Sequence, residues 1–125
     1  MALNYNIAID GDLLTVTTIG FDENVDEAVA YGEAIISKCI ESQCSKILVD
    51  ESKMSAVLDT VGQYEMVQRL VSLIPYQLSI ALLANPNHVQ ETSFGTMVAE
   101  NRGVHIKTFT SAELANAWLQ EQASG

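Results

Sequence analysis

The chain has 125 residues, of which 48% are hydrophobic and 18% are charged. This length and composition are typical of one globular domain with its own core, and they exclude a disordered chain or two ordinary domains. Six Lys and Arg residues against 16 Asp and Glu residues give a formal net charge of −10. This charge excludes nucleic acid as an expected partner, since nucleic-acid binding needs clustered cations, and it disfavours anionic membrane surfaces.

The ends and the cysteines add further expectations. No apolar run approaches the length of a membrane-spanning helix, and the N-terminus lacks the basic and apolar segments of a signal peptide. We therefore expect a cytoplasmic protein with no membrane insertion. Cys39 and Cys44 form neither a redox C-x-x-C motif nor, without a second cysteine pair, a zinc site. We expect structural thiols, and neither a metal nor a cofactor.

The chain begins with two runs in which apolar and polar residues alternate, Leu3–Ile9 and Leu14–Thr18. Alternation is the pattern of a half-buried strand. The dipeptide Asp10-Gly11 between the runs is a turn signal, because Gly readily adopts a positive φ. The start of the chain is therefore predicted to be an antiparallel hairpin.

The first helix is predicted from a change to three- and four-residue spacing. The apolar stripe comprises Val25, Ala28, Val29, Gly32, Ile36, Cys39 and Ile40. Asn24 is the predicted N-cap, with Glu27 three residues later as in a capping box. The acidic residues in the first turn are interpreted as helix stabilisation, because the helix dipole favours negative charge there.

The middle of the chain is predicted as strand, loop and helix. The apolar run Lys46–Asp50 indicates a buried parallel strand. Glu51–Leu58 has no period and is predicted to be a loop leaving the carboxyl end of that strand. A second helix is predicted from about Thr60 to Ile74, where Pro75 ends it.

The next strand is predicted over Leu78–Ala84, followed by a turn. Asn87 is predicted to cap a third helix, with Gln90 at the capping-box position. Gly103 is the predicted stop of that helix.

The last strand is predicted over Val104–Phe109, and Ser111 is predicted to cap a final helix, after which Gln120–Gly125 frays. The whole order is β-β-α-β-α-β-α-β-α. Strands that alternate with helices form parallel sheets, and the hairpin adds an antiparallel pair. We predict a single α/β domain over residues 1–125, with a mixed five-stranded sheet and four helices.

This order resembles the STAS domain family, which contains the SpoIIAA-like anti-sigma factor antagonists. Three stretches carry the resemblance, and together they span most of the chain: Ile47–Gly62, Leu78–Asn85 with the helix after it, and Ile106–Leu119. The resemblance implies a SpoIIAA-like domain, in an outlying branch, that acts as a non-enzymatic regulatory module. It implies a protein partner such as an anti-sigma factor or a kinase-like protein.

In these antagonists a Ser or Thr before the second helix is phosphorylated, which switches off partner binding. The corresponding stretch here is Asp59-Thr60-Val61-Gly62, with Val61 where the commonest pattern has the phosphoacceptor. The resemblance therefore implies Thr60 as the phosphoacceptor and Asp59, Thr60 and Gln63 as the partner-binding residues. Ser52 and Ser55 are secondary phosphoacceptor candidates.

A purely structural interpretation of the same residues stays open. Thr60 with Gln63 has the spacing of a capping box, which stabilises a helix without any phosphate. Asp59 also has the side chain of an N-cap.

Catalysis has little support in the sequence. His88 and His105 lie in no recognisable nucleophile pattern, and no phosphate-binding glycine motif is present. We therefore expect no catalytic residue.

The alternative function is a small-molecule or lipid-binding module with a topology related to Sec14-type domains. Open α/β sheets bind ligands beyond the carboxyl ends of their strands. Met54, Val57 and Leu58 are apolar residues in that region and are the candidate pocket residues. They are also suited to a homodimer contact, or to packing back onto the core.

Overall fold

In the computed structural model, which describes residues 2–123, five strands form one mixed sheet. The strands are β1 (Leu3–Asp10), β2 (Leu13–Phe21), β3 (Lys46–Ala56), β4 (Ser79–Ala84) and β5 (His105–Phe109). They lie side by side in chain order. β1 and β2 are antiparallel, whereas the β2–β3, β3–β4 and β4–β5 pairs are parallel. The predicted mixed five-stranded sheet is confirmed.

Four helices connect or follow these strands, as predicted. They are α1 (Val25–Ser42), α2 (Thr60–Leu70), α3 (Val89–Glu100) and α4 (Ala112–Glu121). The Asn24 side chain accepts a hydrogen bond from the Glu27 backbone N–H at 2.8 Å, which caps α1. The Ser111 side chain caps α4 in the same way. Within residues 2–123, no helix is long and apolar enough to cross a membrane.

The hairpin is confirmed in its position. Asp10 pairs with Leu13, which leaves Gly11 and Asp12 as the two residues of the turn. Gly11 has a φ of 61°, in the left-handed region that glycine tolerates best.

Two hydrophobic clusters lie on opposite faces of the sheet because side chains alternate along a strand. Ile47 and Val49 of β3 pack in the larger cluster, which also receives side chains from α1, α2 and α3. Leu48, between them, packs with Ala115 and Leu119 of α4 in the smaller cluster. α1, α2 and α3 therefore cover one face, and α4 covers part of the other.

The predicted loop over Glu51–Leu58 is wrong for most of its length. β3 continues to Ala56 because the end of β2 provides a parallel partner: Lys53 pairs with Ile19, and Ala56 with Phe21. A hydrogen-bonding partner distant in sequence has overridden the missing period. Residues 51–56, which were predicted in a loop, therefore belong to a strand.

Two further predictions at helix ends need correction. Asn87 does not cap α3: the Asn85 side chain accepts from the Asn87 N–H at 2.9 Å and caps a 3-10 turn, Pro86–His88, so α3 begins only at Val89. α2 ends at Leu70, although a 3-10 turn extends the helical path over Val71–Leu73. In both places a short 3-10 turn replaces residues that were predicted to be α-helical.

The predicted end of α3 at Gly103 agrees better with the structure, and the predicted frayed tail agrees in part. Gly103 has a φ of 91° in the turn that follows the end of α3 at Glu100, which agrees with its prediction as a stop signal. Of the predicted frayed tail, Gln120 and Glu121 belong to α4, while Ser124 and Gly125 lie outside the described residues.

Cys39 and Cys44 are both buried and free of disulfides. Burial raises the pKa of the Cys39 thiol to about 11, and burial also raises the pKa of Cys44. Protonated, buried thiols behave as small hydrophobic side chains.

Candidate functional site

The start of α2 is built around Asp59, which is its N-cap. The Asp59 carboxylate accepts a hydrogen bond from the Gly62 N–H at 2.9 Å, and the Asp59 carbonyl accepts from the Gln63 N–H at 2.8 Å. Asp59 as N-cap is therefore confirmed. The capping box of Thr60 with Gln63 is wrong, because Thr60 is already the first residue of the helix.

Gln63 lies in the interior, beneath the first turn of α2. Its side chain is buried, and its amide Nε2 donates to the Leu58 carbonyl at 3.3 Å. α3 leaves room for it at Gly95, where an added Cβ would lie 2.5 Å from Gln63 Oε1. The structure thus places Asp59 and Thr60 together at the surface, while Gln63 packs between α2 and α3.

The surface beside Thr60 is more apolar than the sequence analysis indicated. Val61 is 66% exposed and Tyr64 is 42% exposed. The Arg102 guanidinium lies over the Tyr64 ring, 5.5 Å from its centroid, a cation–π contact. We call Thr60, Val61 and Tyr64 the α2 surface. The exposure of Val61 could have been predicted from the sequence. Met66, Val67 and Leu70 form the apolar face of α2, and Val61 lies outside the helical spacing of these residues.

The two secondary phosphoacceptor candidates lie on β3, and both hydroxyls are engaged. Ser52 Oγ donates to the Asp50 carboxylate at 2.6 Å. Ser55 Oγ donates to the Gly20 carbonyl of β2 at 3.1 Å. A phosphate at Ser52 would have to replace a hydrogen bond within β3, and a phosphate at Ser55 would have to replace one that joins β3 to β2.

The three candidate pocket residues are mostly directed to the interior. Met54 and Leu58 are buried, and Val57 packs against the larger cluster. The structure has a cavity of about 140 Å³ between the sheet and α1, α2 and α3, but its lining includes none of these three residues. The cavity is instead walled mainly by aliphatic side chains of the larger cluster.

One end of this cavity is polar, and Glu51 is its central group. Glu51 follows Ile47 and Val49 on the same face of β3 and lines the cavity with them. The Tyr31 hydroxyl of α1 donates to Glu51 Oε2 at 2.9 Å. The buried Thr18 hydroxyl lies 2.6 Å from the Tyr31 hydroxyl and, since Tyr31 donates to Glu51, donates to it.

Asp22 lies at the same end of the cavity. Its carboxylate accepts a hydrogen bond from the Leu58 N–H at 3.3 Å. Burial raises the pKa of Asp22 to about 6, and repulsion from Glu27 adds to the effect. Burial raises the pKa of Glu51 to about 7, and repulsion from Asp22 adds to the effect. We call Asp22 and Glu51 the carboxyl pair.

Sequence reasoning missed the carboxyl pair because Glu51 was assigned to a solvated loop. The signal that could have found it is the spacing of Ile47, Val49 and Glu51, which places an acid on a buried face once the strand is extended. Within residues 2–123, no group of three or more His, Cys, Asp and Glu side chains could hold a metal ion.

Comparison with known proteins identifies the fold. No family model and no curated protein matches the sequence. Three solved structures are similar along nearly the whole chain. An anti-sigma factor antagonist from Mycobacterium paratuberculosis is 11% identical, with a TM-score of 0.69 and 95% of both chains covered.

The anti-sigma factor antagonist SpoIIAA, in its unphosphorylated form, is 14% identical, with a TM-score of 0.56 over 92% of this chain and 96% of that one. A DUF3478 family protein from Shewanella loihica is 13% identical, with a TM-score of 0.53 over 94% of both chains. The chain therefore has a SpoIIAA-like fold, and the fold implied by the STAS resemblance is confirmed.

Proposed function

We propose that the chain is a non-enzymatic, SpoIIAA-like regulatory module that binds a protein partner through the α2 surface. The observation that carries the proposal is the exposed Thr60, which directly follows the Asp59 cap and adjoins the exposed Val61. An apolar side chain in water next to a modifiable hydroxyl suits a contact that can be switched. Two of the similar structures are named anti-sigma factor antagonists, which supports an anti-sigma factor or a kinase-like protein as the partner class.

Phosphorylation of Thr60 is the proposed switch. A phosphate adds a charge of about −1.5 to −2 at pH 7. The Asp59 carboxylate already occupies the N-terminus of α2, so the phosphate would enter beside an existing negative charge. Repulsion and the hydration of the phosphate would both oppose burial of Val61 against a partner. Ser52 and Ser55 remain secondary phosphoacceptor candidates. Phosphorylation of either hydroxyl would first have to break the hydrogen bond that it donates.

The test is an affinity capture from the source cells with tagged wild type, Thr60→Val and Thr60→Asp. Thr60→Val should retain the partner, and Thr60→Asp should lose it. Ser72→Asp is the matched control, because it adds the same charge at an exposed position beyond the end of α2. Equal recovery of the same partners by all variants would remove the switch.

A second candidate function, a small-molecule-binding module, is favoured by the cavity of about 140 Å³. Met54, Val57 and Leu58 would then support the fold near the cavity and not line it. Native mass spectrometry of the purified protein tests this function by the mass of a retained ligand. The homodimer stays a prediction, which light scattering over a range of concentrations tests.

A further inference from the structure

The cavity between the sheet and the three helices has the size of a small organic molecule. Its volume is about 140 Å³. A protein cavity of about 150 Å³ lined by aliphatic and aromatic side chains is large enough to bind benzene. The body of a ligand here is therefore limited to about six or seven carbon atoms.

The lining of the cavity has negative groups at one end, where Asp22 and Glu51 lie. Among the lining residues that the structure describes, none is Lys, Arg or His. Most of the other lining side chains are aliphatic, for example Ile35, Val67 and Ile80. The cavity thus has an apolar body and an anionic end.

The carboxyl pair receives few hydrogen bonds from the described residues. Within the described residues, Glu51 accepts a hydrogen bond from Tyr31 and Asp22 accepts one from the Leu58 N–H. An ionised carboxylate has room for about four hydrogen bonds. Buried carboxylates are normally paired with a positive group, and none of the described residues that line the cavity supplies one.

We propose that the cavity binds a small primary amine in its protonated form, with the ammonium group at Asp22 and Glu51 and the hydrocarbon group between the sheet and the helices. An ammonium group has three donors and no acceptor, which matches two carboxylates. An organic anion would be repelled, and a neutral alcohol would leave the negative charge uncompensated. This inference rests on the second candidate function, and it is independent of the α2 surface.

Benzylamine is the probe, and benzyl alcohol is its neutral counterpart of nearly the same shape. Both are titrated into the full chain at pH 8, where the amine is protonated, and followed by calorimetry and amide chemical shifts. Charge-assisted hydrogen bonds are stronger than neutral ones, so we expect benzylamine to bind at least about tenfold more tightly than benzyl alcohol. The largest shifts are expected in the amides of Tyr31, Glu51 and Gln63.

Glu51→Gln keeps the shape of the side chain and removes its charge, so the preference for the amine should fall at least severalfold. Glu121→Gln is the matched control, because it makes the same change at an exposed position on α4, outside the cavity lining. The control should keep the preference. Equal loss in both variants would show nonspecific attraction to an acidic protein and would overturn the inference.

Val49→Phe provides a second check, because Val49 lines the cavity and a phenyl ring would occupy part of it. With the fold verified by amide dispersion, this variant should lose both ligands. Unchanged amine binding would place the amine elsewhere and overturn the inference.

The amine inference and the small-molecule function are overturned by different results. Equal affinity of wild type for benzylamine and benzyl alcohol would overturn the amine inference and leave the small-molecule function standing. Absence of binding by both probes, with no shifts around the cavity, would overturn both.

Discussion

Asp59, which caps α2 beside the α2 surface, and the carboxyl pair hold their negative charge in opposite ways. Asp59 is exposed and accepts a helix N–H, so its charge is stabilised by the helix dipole and by water. Glu51 lines an apolar cavity and has the Tyr31 hydroxyl as its donor within the described residues. The exposed carboxylate of Asp59 suits recognition at a surface. The carboxylate of Glu51 in the cavity suits a site that binds a positively charged group.

The contrast between the exposed Asp59 and the buried Glu51 is tested most strongly by removing the charge at Glu51. Its pKa is raised from 4.5 to about 7 in the folded chain, so between these values the native state holds a proton that the unfolded state has lost. The free energy of unfolding should therefore fall as the pH rises from about 4.5 to about 7, and the raised pKa of Asp22 acts in the same direction at lower pH.

Glu51→Gln should abolish most of this fall and stabilise the protein at pH 8 by about 2 kcal/mol. Urea unfolding at a series of pH values measures it. Glu121→Gln, at an exposed position on α4, serves as the control for the loss of one charge. A pH profile that is the same in wild type and Glu51→Gln would contradict the burial of an ionisable group there.

The packing beneath the α2 surface gives the next largest effect. In Gly95→Ala the new Cβ would lie 2.5 Å from Gln63 Oε1, so the side chain that links α2 to α3 must move. We expect a destabilisation of about 1 to 2 kcal/mol by thermal or urea unfolding. The same change in a Gln63→Ala background should cost much less, because the clash is then absent. Additive effects would show that the two residues do not couple.

The N-cap gives a smaller effect. Asp59→Ala should destabilise the protein by about 1 kcal/mol, because it removes the acceptor of the Gly62 N–H. Thr60→Ala should have a clearly smaller effect, since Thr60 is not the cap. A larger loss for Thr60→Ala than for Asp59→Ala would reverse the assignment of the two residues.

The smallest effect on stability is expected at the α2 surface. Val61→Ser changes a side chain that is 66% exposed, so the free energy of unfolding should stay within about 0.5 kcal/mol of wild type. If Val61 contacts a partner, the same variant should weaken capture of that partner. Leu73→Ser is the matched control, since Leu73 is also exposed and lies beyond the other end of α2.

Features decided within a few residues could be predicted. The turn at Gly11 and the caps at Asn24 and Ser111 rest on short-range sterics and on hydrogen bonds that span three residues. The same local reasoning succeeded for the cap at Asp59 but failed for the capping box of Thr60 with Gln63, because Thr60 is already inside the helix. It also failed at Asn87, where a 3-10 turn capped by Asn85 displaced the start of α3.

The candidate sites were predictable to different degrees. Thr60 could be placed at the start of a helix from the sequence, because Asp59 and Thr60 both have side chains that are typical of a helix N-terminus. The exposure of Tyr64 beside Arg102, and the burial of Gln63 against Gly95, depend on how α2 meets α3. No spacing along the chain carries that information.

By itself the sequence determined the order of strands and helices and the single mixed sheet, because hydrophobic period and turn residues act locally and the short connections leave few topologies. Only the tertiary structure decided that β2 extends β3 as far as Ala56, which places Glu51 against Tyr31 at the end of a cavity. The physical reason is that strand pairing and burial are settled between residues 20 or more positions apart in the chain.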